Sequence, residues 1–292
     1  MKLTFLGTAA ANAFPEAFCK CSNCQKARDL GGKNLRKRSA ALINDDLLLD
    51  LGPDIMTSSQ VHNISLTNVQ FCLQTHPHAD HMDLSHLLSR SPGFGVVGAP
   101  RLHIYASPQT LTRADQTFLR DLSSFSLLDK QAEQELNLAI HTIEPLTPMM
   151  VGEYRVVAIP ANHAHSFGAS LYAIEKDGCS IFYGTDTAEF LDETWQAFHV
   201  HELCFDLVVL DHTYGPDEPG SDHLCASQVA EHTRRMREEG ILKEGGCVFA
   251  THIAHEGNPS HDELSAYAKQ KGYEIAYDGL LLSIPMEKSK AR

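Results

Sequence analysis

Six consecutive residues constrain this chain most: His76, Pro77, His78, Ala79, Asp80 and His81 follow the apolar run 69–74 after a single Thr75. An apolar run of that length bounded by polar turn residues reads as a buried strand. Pro77 holds His76 extended, so His76 and His78 project to the same side, two residues apart. Asp80 and His81 then fall at the mouth of the next helical pattern. Four metal-binding side chains thus converge on one strand-to-helix loop. Two imidazoles at this spacing suit one divalent ion, and a carboxylate with an imidazole suits a second. Such a loop needs a sheet to carry it and further strand ends to complete the ligand sets.

The rest of the chain agrees with a metal-handling globular protein. Of its 292 residues seventeen are histidine, more than the thirteen Phe or thirteen Pro. Apolar residues make up 43% and charged residues 21%, which excludes disorder as the main state. No run of 18 apolar residues exists to span a membrane. Lys plus Arg total 24 against 37 Asp plus Glu, a net charge of −13 that argues against a nucleic-acid surface. One basic stretch, residues 33–38, is the exception; it reads as a solvated loop that could help bind a phosphate. Residues 1–13 mimic a secretion signal, but Gly7 and Thr8 interrupt the apolar stretch, and residues 2–6 are read as a first strand. Of eight cysteines, Cys19, Cys21 and Cys24 fall within six positions, a spacing suited to a metal, with a redox cluster as the alternative. The other five, Cys72, Cys179, Cys204, Cys225 and Cys247, read as buried thiols. A reducing cytoplasm is the expected compartment.

Strand-like runs recur at 39–43, 46–51, 102–106, 154–159, 170–175, 179–183, 206–210, 246–250 and 273–276. Helical patterns lie at 83–90, 110–139, 223–239 and 260–271, the last opened by Ser260 and Glu263 as a capping box. Hairpins early and strand–helix alternation late predict an α+β fold of mixed sheets covered by outer helices. The whole chain 1–292 is read as one domain, with residues 91–150 as an insertion that forms a lid or a dimer surface. Residues 93–98 match G-x-G-x-x-G, but a helix precedes them and a strand follows, the reverse of a dinucleotide site. They are read as a flexible loop near the metals.

The segment from His76 to His81 resembles the signature H-x-H-x-D-H of the metallo-β-lactamase superfamily. The resemblance implies an αββα sandwich and a two-metal hydrolase with ligands spread along the chain. Carried over in order, it implies His163, Asp186 and His252 as the later ligands. His76, His78 and His163 would hold one ion, Asp80, His81 and His252 the other, and Asp186 would bridge. Asp50, at the end of an early strand, would support a ligand imidazole. The cysteine cluster with His255, three residues after His252, resembles a narrower branch in which four such ligands hold a structural zinc. That branch contains the cyclic-phosphate phosphodiesterase of the carbon–phosphorus lyase pathway and the pyrroloquinoline-quinone biosynthesis hydrolase.

In the phosphodiesterase branch a histidine before a late helix binds phosphate and protonates the leaving group; His223, after Ser221 and Asp222, is its counterpart, with His212 and His165 as other candidates. Asp80 and His223 are therefore the candidate catalytic residues. The expected reaction is hydrolysis of a small phosphodiester, with a cyclic ribosyl phosphate as the type the resemblance implies, by a hydroxide activated on two manganese or zinc ions. The expected partner is a small phosphate ester, with no membrane and no nucleic acid, and a homodimer is possible. Other ester hydrolases of the same fold (lactonase, thioesterase, RNA-processing nuclease) and a cofactor-biosynthesis accessory protein are the alternatives.

Overall fold

The apolar runs become strands because each can bury both faces, one against a second sheet and one against helices. The computed structural model describes residues 1–285. Its first part consists of β1 (Lys2–Gly7), α1 (Ser22–Leu30), β2 (Ala40–Ile43), β3 (Leu47–Leu49), α2 (Ile55–His62), β4 (Phe71–Leu73), α3 (Ser85–Ser89), β5 (Leu102–Ala106), α4 (Pro108–Asp121), α5 (Lys130–Glu135) and β6 (Leu138–Thr142). The second part consists of β7 (Met149–Val151), β8 (Tyr154–Pro160), β9 (Ser170–Lys176), β10 (Cys179–Gly184), α6 (Asp192–Val200), β11 (Phe205–Asp211), α7 (Ala226–Glu238), β12 (Leu242–Thr251), α8 (His261–Lys271) and β13 (Glu274–Ile275). A last strand, β14 (Leu281–Ser283), returns to pair with β1.

Two seven-stranded sheets result, in the orders β14-β1-β2-β3-β4-β5-β6 and β13-β12-β11-β10-β9-β8-β7. Each is mixed in the same way. Short hairpins make one half antiparallel, and helical crossovers make the other half parallel, from β3 to β6 and from β10 to β13. Alternation within a strand divides the core. Ile181 and Tyr183 of β10 face the first sheet and pack with Leu3, Phe5, Leu49 and Leu207. Phe182, between them, packs outward with Trp195 and Phe198 of α6. On the other side Leu42, Cys72 and Ile104 pack outward against Ala114 and Phe118 of α4. The α+β sandwich with outer helices is therefore the fold.

Residues 91–150, expected as an insertion, add β5 and β6 to the first sheet and α4 and α5 beside it. The helical pattern over 110–139 is broken by the turn at 123–129. It ends at Asn137, whose left-handed φ of 51° turns the chain into β6. The capping box at Ser260 forms as predicted, with Ser260 Oγ and the Ser260 amide both donating to Glu263. Among the described residues no helix is long and apolar enough to cross a membrane.

Candidate metal centres

The parallel halves of both sheets present the carboxyl ends of their strands on one rim, where ligands of open α/β sheets usually lie. Asp50 directly follows β3, residues 76–81 follow β4, His163 follows β8, Asp186 follows β10 and His252 follows β12. Asp50, Asp186 and His252 all take left-handed backbone conformations, with φ of 67°, 57° and 60°. Asp and His are among the non-glycine types that tolerate this region best, at about 1–2 kcal/mol each. The left-handed step turns the chain sharply as it leaves the sheet.

The predicted ligands meet. His76, His78, His163 and Asp186 form one group, and Asp80, His81, Asp186 and His252 a second, with all donor atoms of a group within 4.8 Å of one another. Asp186 belongs to both. Its Oδ2 faces His76 Nε2 at 3.5 Å and His163 Nε2 at 3.8 Å, and its Oδ1 faces His81 Nε2 at 3.2 Å and His252 Nε2 at 3.0 Å. Asp80 Oδ2 lies 3.2 Å from His81 Nε2 and 3.7 Å from His252 Nε2. Inward ring nitrogens crowd together: His76 Nε2 and His78 Nδ1 at 2.9 Å, His163 Nε2 and His78 Nδ1 at 3.3 Å, and His81 and His252 Nε2 at 3.4 Å.

The outer nitrogens explain why the inner ones converge. His81 Nδ1 is bound to Asp50 Oδ2 at 2.7 Å, His76 Nδ1 to Thr75 Oγ1 at 2.9 Å and His252 Nδ1 to Thr213 Oγ1 at 2.8 Å. Each partner fixes ring orientation and leaves Nε2 for the interior, the usual support for a metal-ligating imidazole. Burial disfavours a charged His252, but Asp186, Asp80 and Asp211 overcome it and raise the imidazole to about 10. His81 rises likewise, against its burial, under Asp186, Asp80 and Asp50. The carboxylates thus demand positive charge at this spot, and Asp186 Oδ1, buried, has no hydrogen-bond donor. Imidazole nitrogens with carboxylate oxygens suit zinc or manganese, so the residues fit two divalent ions.

Asp50 deserves a test of its own, since it also accepts from the Thr75 amide at 2.7 Å and from Gln74 Nε2 at 2.9 Å. Asp50→Ala is expected to weaken metal affinity about 10–100-fold. Chelator-competition titration measures this, and an unchanged affinity would remove Asp50 from the support of His81.

His223 lies beside the second group, its ring stacked on His252 at 5.1 Å and 4.7 Å from that of His163. It does not open a helix as the sequence suggested: α7 starts at Ala226, capped by Cys225. It is held instead by Asp211, whose Oδ2 is 2.7 Å from His223 Nδ1. Sequence reading passed over Asp211, although it ends β11 as Asp50 follows β3. The other two candidates lie elsewhere. His212 is fully buried against Tyr273, with Nε2 3.0 Å from the hydroxyl, because alternation along β11 turns it away from Asp211's side. His165 is exposed on the short turn His165–Phe167 and contributes no contact to either group.

A third group joins Cys19, Cys21, Cys24 and His255. Cys21 caps α1, its sulfur accepting from the Cys24 amide at 3.4 Å, and Asn23 Nδ2 donates to the His255 carbonyl at 3.0 Å. His255 Nδ1 is 3.6 Å from Cys19 Sγ and 3.5 Å from Cys21 Sγ. Tetrahedral zinc, with Zn–S ~2.3 Å and Zn–N ~2.0–2.1 Å, sets sulfur and nitrogen about 3.6 Å apart. Burial raises the Cys21 thiol, but the Cys24 amide, His255 and Cys19 outweigh it and bring it down to about 6. Burial pushes Cys24 up to about 12. One thiolate is therefore favoured already, and a closed four-ligand zinc site fits the set.

The chain matches the sequence profile of the beta-lactamase superfamily domain over residues 46–253, more than two thirds of its length. It belongs to the beta-lactamase superfamily. Solved structures similar to this superfamily member include a diphosphatase from the PhnP family, at 19% identity and TM-score 0.71 with 98% of each chain covered. Zinc-bound PqqB from Methylobacterium extorquens is 19% identical, with TM-score 0.71, covering 97% of this chain and 100% of that one. Human tRNase Z, short form, is 18% identical, with TM-score 0.63, covering 98% and 100%. No curated protein sequence matches this beta-lactamase superfamily chain. At these identities the structural likeness shows the metallo-β-lactamase fold, a fold of metal-dependent hydrolases.

Proposed function

We propose that this chain is a metal-dependent phosphodiesterase acting on a small diester, with a cyclic ribosyl phosphate as the favoured type. The observation that carries this reading is the Asp211–His223 pair beside the two ligand groups. Burial disfavours a charged His223, but Asp211, at 2.7 Å, raises it above the ordinary histidine value. His223 also lines the cavity over the ligand groups, as do His78, Asp80, His163, Asp186 and His252. A proton held there suits an alkoxide leaving from phosphorus, and a cationic imidazole suits a phosphate anion. The similar diphosphatase of the PhnP family supports phosphoryl chemistry on this fold.

Two divalent ions bound to the His and Asp groups supply Lewis acidity and a nucleophilic water at neutral pH. The chain's own residues do the rest. Asp80 turns Oδ2 to His81 and His252 and leaves Oδ1 to orient the attacking water. The water oxygen bonds to phosphorus, one P–O ester bond breaks, and His223 gives its Nε2 proton to the departing oxygen. Asp211 keeps the imidazole in position and stabilises its charge.

His223→Gln is expected to lower kcat by about 10²–10⁴-fold on diesters of ordinary alcohols. The loss is expected to be much smaller on bis(p-nitrophenyl) phosphate, whose leaving group departs without a proton. Equal losses on both would take the proton-donor role from His223. A panel of cyclic diesters, linear diesters, lactones and thioesters tests the substrate class directly; faster turnover of a lactone or thioester would overturn the phosphodiester reading.

A further inference from the structure

The cavity over the ligand groups has a volume of about 280 Å³, and no lysine or arginine is among the described residues that line it. Its floor carries Asp186 Oδ1, which is buried and lacks a hydrogen-bond donor. Its outer wall carries Tyr214, Asp222 and Glu256. Asp222 is fixed as a carboxylate: Ser221 Oγ donates to its Oδ1 at 2.7 Å and Tyr214 Oη at 2.8 Å, which brings it down to about 2. Its Oδ2 remains available as an acceptor. Glu256 Oε1 sits 3.3 Å from His255 Nε2, on the far side of the imidazole that faces the cysteines.

The basic stretch that could have offered cations to a phosphate is engaged elsewhere. Arg36 is buried and donates to Thr8 Oγ1 at 2.8 Å and the Ala276 carbonyl at 2.6 Å. Arg38 is held by both oxygens of Asp54, each at 2.8 Å. Lys37 faces Asp278 at 3.6 Å, and Lys33 lies 4.1 Å over the Tyr277 ring. Among the described residues, a substrate in the cavity therefore meets cations only on its reacting phosphate, from His223 and bound ions, and meets acceptors and negative charge on its alcohol side.

We propose that the cavity selects phosphodiesters whose alcohol portion bears hydrogen-bond donors, a polyol or an amino alcohol, and rejects those bearing a second phosphate, with Asp222 and Glu256 as the residues that discriminate. This rests on the phosphodiesterase reading and narrows it. Repulsion from the two carboxylates is a direct way to exclude a more highly charged competitor. It also excludes a polynucleotide.

The test compares kcat/KM of the metal-loaded full chain on ribose 1,2-cyclic phosphate and on its 5-phosphate. The wild-type protein is expected to favour the unphosphorylated diester by about tenfold or more at low salt. The ratio is expected to fall toward one in the Asp222→Asn, Glu256→Gln double variant and with rising ionic strength. Calorimetric titration with ribose 1-phosphate and ribose 1,5-bisphosphate reads the same order without turnover, and glycerophosphoethanolamine tests the amino-alcohol arm. Equal or faster turnover of the 5-phosphate, or a ratio unmoved by the double variant, would overturn the inference while leaving a phosphodiesterase. Failure of the loaded protein to hydrolyse any diester, bis(p-nitrophenyl) phosphate included, would overturn the functional reading and this inference with it.

Discussion

Asp186→Ala is expected to reduce turnover of bis(p-nitrophenyl) phosphate by at least about 10²–10³-fold in kcat, the loss typical of removing one preorganised charge from a reacting centre. Among the described residues Asp186 is the one side chain that belongs to both ligand groups, with one oxygen toward each. Its removal leaves the imidazoles of His76, His81, His163 and His252 converging without the carboxylate that draws a cation between them. Elemental analysis is expected to fall from about three ions per chain toward one, the ion at the cysteines. The fold is expected to persist, because both sheets are held by cores that do not include this residue. Far-ultraviolet circular dichroism checks that point. Unchanged turnover and metal content would remove Asp186 from the site.

Cys21→Ser separates the third group from the other two. Apparent zinc binding to structural sites is worth about 10–16 kcal/mol in small domains, large beside a typical total stability of about 5–15 kcal/mol. Here zinc would tie the 19–24 segment and α1 to the loop after β12, which Asn23 also holds through its bond to the His255 carbonyl. The variant is expected to lose one zinc per chain and at least about 5 °C of Tm, at roughly 2–4 °C per kcal/mol for a chain of this size. Its kcat, measured below the transition, is expected to change far less. The reverse pattern, an intact Tm with lost activity, would mark Cys21 as a catalytic or redox thiol.

Much of the site was legible because its ligands are chemically distinctive and occupy strand ends. Residues 76–81 announce themselves, and each later ligand lies just beyond an apolar run. Asp211 was less visible, since an Asp at a strand end followed by His212 and later by His223 gives no sign of which histidine it holds. His212 is adjacent, yet strand alternation sends it to Tyr273, while His223, twelve residues on, folds back to the carboxylate. Short elements were also hidden. β7 and β14 have three residues each, too few for a period, and their positions come from pairing with β8 and β1. β6 was masked by the helical pattern before it, because only the turn at Asn137 separates the two.

The two sheets contribute equally to each ligand group, so neither group belongs to one sheet. His76, His78, Asp80 and His81 stand at the edge of the first sheet, and His163, Asp186 and His252 at the edge of the second. Bound ions would therefore act as rivets across the seam of the sandwich. Any breathing motion that parts the layers at this rim also dismantles the chelate, so ion release and local opening become a single event. By mass action, the free ion concentration would then set how often the rim opens.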